Sequence, residues 1–238
     1  MLAKRIIPTI LVRGQTAFKG PGFGAACTRS VGSALAIART HARRGVDELL
    51  ILDIGATPDG RGPDLDLVRS LSDDCYIPIT VGGGVRTLDD IDALLRAGAD
   101  KVAICSAVRD DMSLLMLARD RFGAQAVVAV IEHTDETWDE TVSIAIDMEA
   151  AGAGEILLQS TTREGQMDGY DLETVAIVAA AISVPLIVSG GAGDYGDMMR
   201  AIQEGADACA AGAMFQFTDT TPRGCAELLR REGIEVRL

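Results

Sequence analysis

The sequence is poor in positive charge, in aromatic side chains and in histidine. Its 238 residues include 22 Lys and Arg against 35 Asp and Glu, which gives a formal net charge of −13, and no basic run is present. A phosphate polyanion or an anionic membrane surface needs a positive footprint on its protein partner. Nucleic acid and membrane surfaces are therefore excluded as main partners, although a small phosphate could still find a local basic pocket.

Patterns for metal ions, disulfides and membrane spans are also missing. The two histidines, His41 and His133, share no ligand spacing, which argues against a zinc site. The five cysteines are odd in number, widely spaced and without a CxxC pair. They predict reduced, mostly buried thiols in a cytoplasmic protein. No apolar run reaches the roughly 20 residues that span a bilayer, and residues 1–8 lack the apolar core of a signal peptide.

The chain does contain an internal duplication. VGGG at 81–84 and SGGA at 189–192 each follow a short apolar run, and their glycines Gly83 and Gly190 are 107 positions apart. The same offset aligns residues 45–108 with 152–215 without a gap. A repeat of this length constrains the architecture more strongly than any single motif does.

Short apolar runs alternate with amphipathic helical patterns along the chain. Eight strands are predicted, at 5–12, 48–53, 77–81, 101–104, 126–132, 155–159, 185–189 and 208–211. Eight helices are predicted near 33–44, 64–73, 87–97, 111–121, 138–151, 171–181, 194–204 and 221–232. Several strands are apolar almost throughout, which is typical of parallel strands that helices cover on both faces.

Eight strand–helix units in matched halves predict one α/β domain over residues 1–238. The expected fold is a single-domain (β/α)8 TIM barrel with two-fold repeated half-barrels, at about 1–122 and 123–238. An open doubly wound sheet is the alternative, but it explains the duplication less well. No GxGxxG motif opens the first helix, and the sequence predicts no cofactor. The Gly-rich stretch 14–32 is expected to be an irregular loop at the C-terminal face of the barrel.

Glycines and other small residues follow the third, fourth, seventh and eighth predicted strands. They are Gly83, Gly84, Cys105, Ser106, Gly190, Gly191, Gly212 and Ala213. Glycine lets the backbone approach a ligand closely, and free N–H groups before a short helix can bind phosphate. The matched sets predict two phosphate sites on opposite sides of one barrel mouth. The alternative is that these glycines only form tight turns.

Longer motifs extend over nearly the whole chain. They are MLAKRIIP at 1–8, FKG at 18–20, VDEL at 46–49, LDI at 52–54, VGGG at 81–84, GADKV at 98–102, GEILL at 154–158, GYD at 169–171, SGGAG at 189–193 and GIEVRL at 233–238. Together they resemble the cyclase subunit of imidazole glycerol phosphate synthase. The resemblance implies a (β/α)8 barrel with duplicated halves that works with a separate glutaminase. Ammonia from that partner would cross the barrel and attack a phosphorylated small-molecule substrate.

The resemblance also assigns roles to individual positions. A ring of four charged residues would gate the ammonia channel, and here these are Arg5, Glu48, Lys101 and Glu155. It further implies that Asp100 lies at the partner interface, that Lys19 is catalytic and that Gly165 binds phosphate. Charges inside a barrel are costly unless they are paired or functional. A structural salt-bridge plug therefore remains the alternative to a gate.

Departures from the family pattern fall on the expected chemistry. The family uses carboxylates at the ends of strands 1 and 5 as general acid and base, but the first position here is Leu11, which cannot carry a proton. The second is Glu132, one methylene longer than the usual Asp. Cys105 replaces an Asn at a phosphate site. The usual acid after strand 6 is Glu164 here, and the loop after strand 5 is short. Glu132 and Asp53 are the predicted surviving acid–base pair.

With these departures the sequence resembles one branch of the family, the glycosyl amidation proteins of surface-polysaccharide biosynthesis. Those proteins need a glutaminase and an ATP-dependent activating enzyme, so the first hypothesis is an ammonia-channelling subunit that amidates a phosphorylated or nucleotide-sugar metabolite. An authentic cyclase of histidine biosynthesis is the alternative, and a non-catalytic barrel that scaffolds its glutaminase is a second one. His41 is expected on the surface, His133 in a solvated loop, and Trp138 near the mouth.

Overall fold

Eight parallel strands close on themselves at the centre of the molecule. The computed structural model describes residues 3–22, 29–134 and 138–236, without the side chains of Asp110, Trp138 and Asp139. The strands are β1 (Arg5–Arg13), β2 (Thr16–Lys19), β3 (Arg29–Ser33), β4 (Leu49–Asp53), β5 (Ile79–Gly82), β6 (Lys101–Ile104), β7 (Val127–His133), β8 (Glu155–Ser160), β9 (Leu186–Ser189) and β10 (Ala208–Ala211). The barrel runs β1-β4-β5-β6-β7-β8-β9-β10, and β10 pairs back with β1. This closure confirms the predicted barrel and excludes the open sheet.

Helices follow the barrel strands and cover the outside. They are α1 (Ala34–Arg43), α2 (Leu65–Asp74), α3 (Leu88–Ala97), α4 (Ser106–Asp110), α5 (Ser113–Phe122), α6 (Trp138–Ala151), α7 (Leu172–Ala181), α8 (Tyr195–Gln203), α9 (Ala213–Phe217) and α10 (Pro222–Arg231). The prediction missed α4 and α9, which are five residues long each and too short to produce a helical period. No helix in the described ranges is long and apolar enough to cross a membrane.

The stretch 14–32 is more regular than predicted. Strand β2 pairs antiparallel with the end of β1, with Leu11 opposite Phe18, and β3 pairs antiparallel with β2. The expectation of an irregular loop was wrong for these residues, because β2 recovers its backbone hydrogen bonds from β1. Residues 23–28, including Cys27, lie outside the described residues.

Residues 107 positions apart also form matching local hydrogen bonds. Helix α3 begins with a capping box in which Thr87 and Asp90 exchange hydrogen bonds, and Asp194 and Asp197 form the same box at α8. At the opposite end of the barrel the Asp100 carboxylate accepts from the Ile79 N–H at 2.8 Å. The counterpart of Asp100, Asp207, accepts from the Leu186 N–H at 3.1 Å.

Two apolar regions are separated by the strands. The larger lies between the sheet and the helices and contains one face of every barrel strand. The smaller fills the barrel lumen and consists of Ile7, Leu50, Ala103, Val128, Val130, Leu157, Ile187, Ala208 and Ala210. Side chains alternate across each strand, so one strand serves both regions. The lumen is thus an apolar layer between the two ends of the barrel.

The histidines are not where the sequence suggested. His41 of α1 was predicted on the surface but is buried against Phe215, with 6.3 Å between ring centroids. Burial, helped by the nearby Arg44 and Lys19 charges, lowers the pKa of His41 to about 4. His133 was expected in a solvated loop, but it ends β7 and is buried, with Nδ1 3.6 Å from Asp171 Oδ2. Both corrections depend on contacts with elements distant in sequence.

Candidate functional site

Four charged side chains form a closed ring at the N-terminal end of the lumen. Arg5 lies 2.8 Å from Glu48 and 3.1 Å from Glu155, and Lys101 lies 3.1 Å from Glu48 and 3.0 Å from Glu155. Burial lowers the pKa of Arg5, but Glu155 and Glu48 more than offset it, so the pKa is raised overall. The structure therefore brings together all four predicted gate residues, and each cation contacts both carboxylates.

Asp100 lies beside this ring on the outer rim of the same barrel end. Its side chain is exposed, and the next residue is Lys101 of the ring. Its hydrogen bond to the Ile79 backbone fixes the carboxylate at the entrance to β5. The predicted interface residue is thus accessible at the N-terminal face, next to the ring.

The C-terminal end of the lumen opens into a cavity of about 320 Å³. It is lined by Leu52, Asp53, Ile54, Thr57, Pro58, Gly82, Gly83, Ala103, Cys105, Ser106, Val130, Glu132 and Gln159. The two predicted acid–base carboxylates, Asp53 and Glu132, thus face one space. Glu132 is exposed there, whereas Asp53 is buried.

Asp53 is already engaged by its own neighbours. Its two carboxylate oxygens lie 2.8 Å from two guanidinium nitrogens of Arg61, and one of them also accepts from the N–H groups of Gly55 and Ala56. These contacts fix the position of the carboxylate. It orders the loop after β4, and Glu132 is the carboxylate left open to the cavity.

Leu11 is completely buried, with 0 % exposure. It pairs with Leu52 of β4 on one side and with Phe18 of β2 on the other. An apolar side chain packed in this way neither donates nor accepts a proton. Leu11 therefore contributes packing at the end of β1 that leads into the mouth.

Cys105 follows β6 and lies close to Glu132. Burial raises the pKa of the Cys105 thiol to about 12, and the charge of Glu132 adds to this effect. The thiol is therefore protonated at neutral pH and unreactive as a nucleophile. Together with Ser106, Gly83 and Gly84, Cys105 lines a cleft of about 50 Å³ that adjoins the cavity.

The glycines at the strand ends allow close backbone contacts. A Cβ on Gly83 would lie 2.4 Å from the Asp53 carbonyl oxygen, and a Cβ on Gly190 would lie 2.4 Å from the Ser160 carbonyl oxygen. These matched approaches, with φ of 113° and 94°, account for glycine by turn geometry alone. Phosphate binding remains a prediction, and the alternative of tight turns has direct support.

The remaining predicted phosphate residues lie near Lys19. Lys19 is buried in β2 and donates from Nζ to the Thr9 carbonyl oxygen at 2.8 Å. A Cβ on Gly212, just before Ala213 and α9, would lie 1.9 Å from that Nζ. Gly165 packs on Gly20, whose carbonyl oxygen would lie 2.3 Å from an added Cβ. The hairpin and the loop after β8 thus meet over one side of the mouth.

Gln159 and Glu164 form a buried polar contact that the sequence did not indicate. The Gln159 Nε2 donates to Glu164 Oε2 at 3.3 Å, and both residues are buried. Burial raises the pKa of Glu164, and the Lys19 charge and the Gln159 hydrogen bond only partly offset this. Sequence reasoning noted Glu164 but missed Gln159. The available signal was a lone amide directly after the apolar residues 156–158 of β8.

Similarity to known proteins agrees with this geometry. The family model described as "Histidine biosynthesis protein" matches residues 5–221. The chain belongs to this family. It is 36% identical to the imidazole glycerol phosphate synthase subunit HisF of Dictyoglomus thermophilum, over 100% of both chains. It is 37% identical to the putative imidazole glycerol phosphate synthase subunit hisF2 of Campylobacter jejuni, again over 100% of both.

The full-length matches place the chain among the HisF-like cyclase subunits. The resemblance drawn from the sequence motifs is thereby confirmed, as is the barrel. Within the described residues, no group of three or more His, Cys, Asp or Glu side chains could hold a metal ion. Glu132 and Gln159 both line the mouth cavity.

Proposed function

We propose that this HisF-like barrel receives ammonia from a glutaminase partner and uses it to amidate a phosphorylated or nucleotide-sugar metabolite. The observation that carries the proposal is Leu11, fully buried where imidazole-ring closure needs a carboxylate. Losing an acid–base group typically costs about 10²–10⁴-fold in rate. Amidation needs ammonia delivery and one proton acceptor, and Glu132 can serve as that acceptor.

The route for ammonia supports the same proposal. The ring of Arg5, Glu48, Lys101 and Glu155 stands at one end of the lumen, and Glu132 stands at the other. Between them lies an apolar layer. Such a layer suits small neutral ammonia better than ammonium, which pays a large desolvation cost. The exposed Asp100 beside the ring is proposed as part of the glutaminase interface.

Substrate recognition is proposed at the strand ends on both sides of the mouth. The cleft behind Gly83, Gly84, Cys105 and Ser106 has a volume of about 50 Å³, which suits one phosphate group. On the other side, Gly212, which precedes Ala213, lies against the Lys19 ammonium, and Gly165 packs on Gly20. Gly190 and Gly191 follow the adjacent strand β9. An amide or sugar oxygen must be activated before ammonia can displace it. An ATP-dependent activating enzyme in surface-polysaccharide biosynthesis is the expected companion.

The test is direct turnover with free ammonia. The protein is given ammonium chloride and the bisphosphorylated intermediate of histidine biosynthesis, and imidazole glycerol phosphate is measured. We expect no product from the wild type and a detectable rate from Leu11→Asp. Wild-type turnover at the rate of an authentic HisF would overturn the proposal.

Histidine biosynthesis is the second candidate, and one observation favours it. Glu132 keeps a carboxylate at the mouth with direct access to the cavity. If one carboxylate suffices, the wild type makes imidazole glycerol phosphate and Glu132→Gln abolishes it. Failure of every variant with every amide acceptor would instead point to a barrel that only scaffolds its glutaminase.

A further inference from the structure

Gln159 presents an unsatisfied acceptor at the point where the lumen meets the mouth. The side chain is 1 % exposed, and its Oε1 has no hydrogen-bond partner among the described residues. Leaving a buried acceptor unpaired is costly, and such groups in native proteins usually await a ligand or water. Gln159 Oε1 therefore needs a partner that the described part of the chain does not supply.

The amide is held in one orientation by the groups behind it. Its Nε2 donates to Glu164 Oε2 at 3.3 Å, and both residues are buried. A carboxylate acceptor on one side selects the NH₂ end of the amide for that side. Oε1 therefore occupies the other end of the side chain, and Glu164 acts as the positioning residue.

Gln159 and Glu132 are neighbours above the apolar lumen. They are paired residues on the adjacent parallel strands β7 and β8, and both line the mouth cavity. Two positions below them on the same strands are Leu157 and Val130, which belong to the lumen layer. A molecule leaving the lumen passes from a surface without hydrogen-bonding groups directly to these two acceptors.

We propose that Gln159 Oε1 and the Glu132 carboxylate form an ammonia-binding site at the exit of the lumen. This inference rests on the proposed function for the arrival of ammonia. Ammonia has three N–H donors and one lone pair. The site offers two acceptors, Gln159 Oε1 and the Glu132 carboxylate, because the NH₂ group of Gln159 is bound to Glu164. Two N–H groups bind Gln159 and Glu132, and the lone pair points into the cavity where the substrate carbon lies.

The bonding directs the chemical step. The nitrogen lone pair forms a bond to an electrophilic substrate carbon that is doubly bonded to oxygen or nitrogen. The π pair of that double bond moves onto its heteroatom, and one proton passes from the new ammonium nitrogen to Glu132. Gln159 holds a second N–H throughout and exchanges no proton. This addition balances in atoms and charge. The pair on the heteroatom then re-forms the double bond, and the substrate oxygen that the ATP-dependent enzyme has activated leaves with its bonding pair.

Thallium(I) is a suitable probe because it is a monovalent stand-in for ammonium and scatters anomalously. Crystals of the wild type, Gln159→Leu and Gln203→Leu are soaked in thallium(I) acetate. Gln203 is an exposed amide at the end of α8, so Gln203→Leu is the control. We expect an anomalous peak in contact with Gln159 Oε1 and Glu132 in the wild type and in Gln203→Leu. The peak is expected to disappear in Gln159→Leu. If Gln159→Leu does not fold, Gln159→Met has an unbranched side chain of similar length without the acceptor.

A wild type without a peak between these groups would overturn the site. A peak that persists in Gln159→Leu would identify an adventitious ion only, and would overturn it equally. The soak uses neither glutaminase nor carbon substrate, so its failure is separable from failure of the amidation proposal. In an assay in which the protein turns over its carbon substrate, Gln159→Leu should raise the KM for ammonia about tenfold. The KM for the carbon substrate should be unchanged.

Discussion

Glu48 and Glu155 occupy the same position in the two repeats and bind the same two cations, but among the described residues only Glu48 has a third partner. The Thr80 hydroxyl donates to Glu48, whereas the residue 107 positions after Thr80 is Ile187, which has no donor. The Glu48 side chain is 4 % exposed, and the Glu155 side chain is 13 % exposed. Glu155 is therefore the more weakly held carboxylate of the ring.

This difference predicts the behaviour of Glu155→Ala. Removing Glu155 opens the ring on one side but leaves Glu48 able to neutralise part of the charge of Arg5 and Lys101. We expect fewer products per glutamine hydrolysed with the glutaminase partner, and an unchanged rate with free ammonia. Both rates are measured on the same preparation. An equal loss with both ammonia sources would identify the ring as a structural plug.

The ion pair between Arg61 and Asp53 predicts a stability effect. Arg61 is 34 % exposed on its side chain and contacts both carboxylate oxygens of buried Asp53. After allowing for solvent screening, we expect Arg61→Ala to lower the free energy of unfolding by about 1–2 kcal/mol. The exposed pair of Arg69 with Asp66 is the matched control, and Arg69→Ala should cost at most about 0.5 kcal/mol. Urea unfolding of both variants measures the difference, and equal values would contradict it.

The barrel was predictable from the sequence because its signals are local and repeated. Residues 107 positions apart use the same caps and the same rim hydrogen bonds, such as Asp100 with Ile79 and Asp207 with Leu186. The burial of His41 and the pairing of β2 with β1 were not predictable, since both depend on chain segments that approach from elsewhere. The unpaired oxygen of Gln159 was equally hidden, because an amide shows its satisfied and unsatisfied ends only in three dimensions.

Glu132→Gln should separate chemistry from binding. The substitution keeps the shape of the side chain in the cavity but removes the proton acceptor. We expect kcat to fall by about 10²–10⁴-fold with little change in the KM of the carbon substrate. Asp53→Asn should reduce kcat less, because Asp53 is engaged by Arg61 and two backbone N–H groups. If Asp53→Asn had the larger effect on kcat at unchanged stability, the assignment of the two carboxylates would be reversed.

Acid sensitivity should arise in part from His41. Burial first, and then the charges of Arg44 and Lys19, lower its pKa to about 4 in the folded chain, against about 6.5 when unfolded. Because the unfolded state binds the proton more tightly, the folded state is favoured above pH ~6.5, and this advantage is lost as the pH falls towards ~4. Between pH ~7 and ~5 the wild type should lose about 2 kcal/mol more stability than His41→Leu, which cannot titrate there. Urea unfolding at both pH values measures this, and parallel losses in the two proteins would show that His41 is not the group responsible.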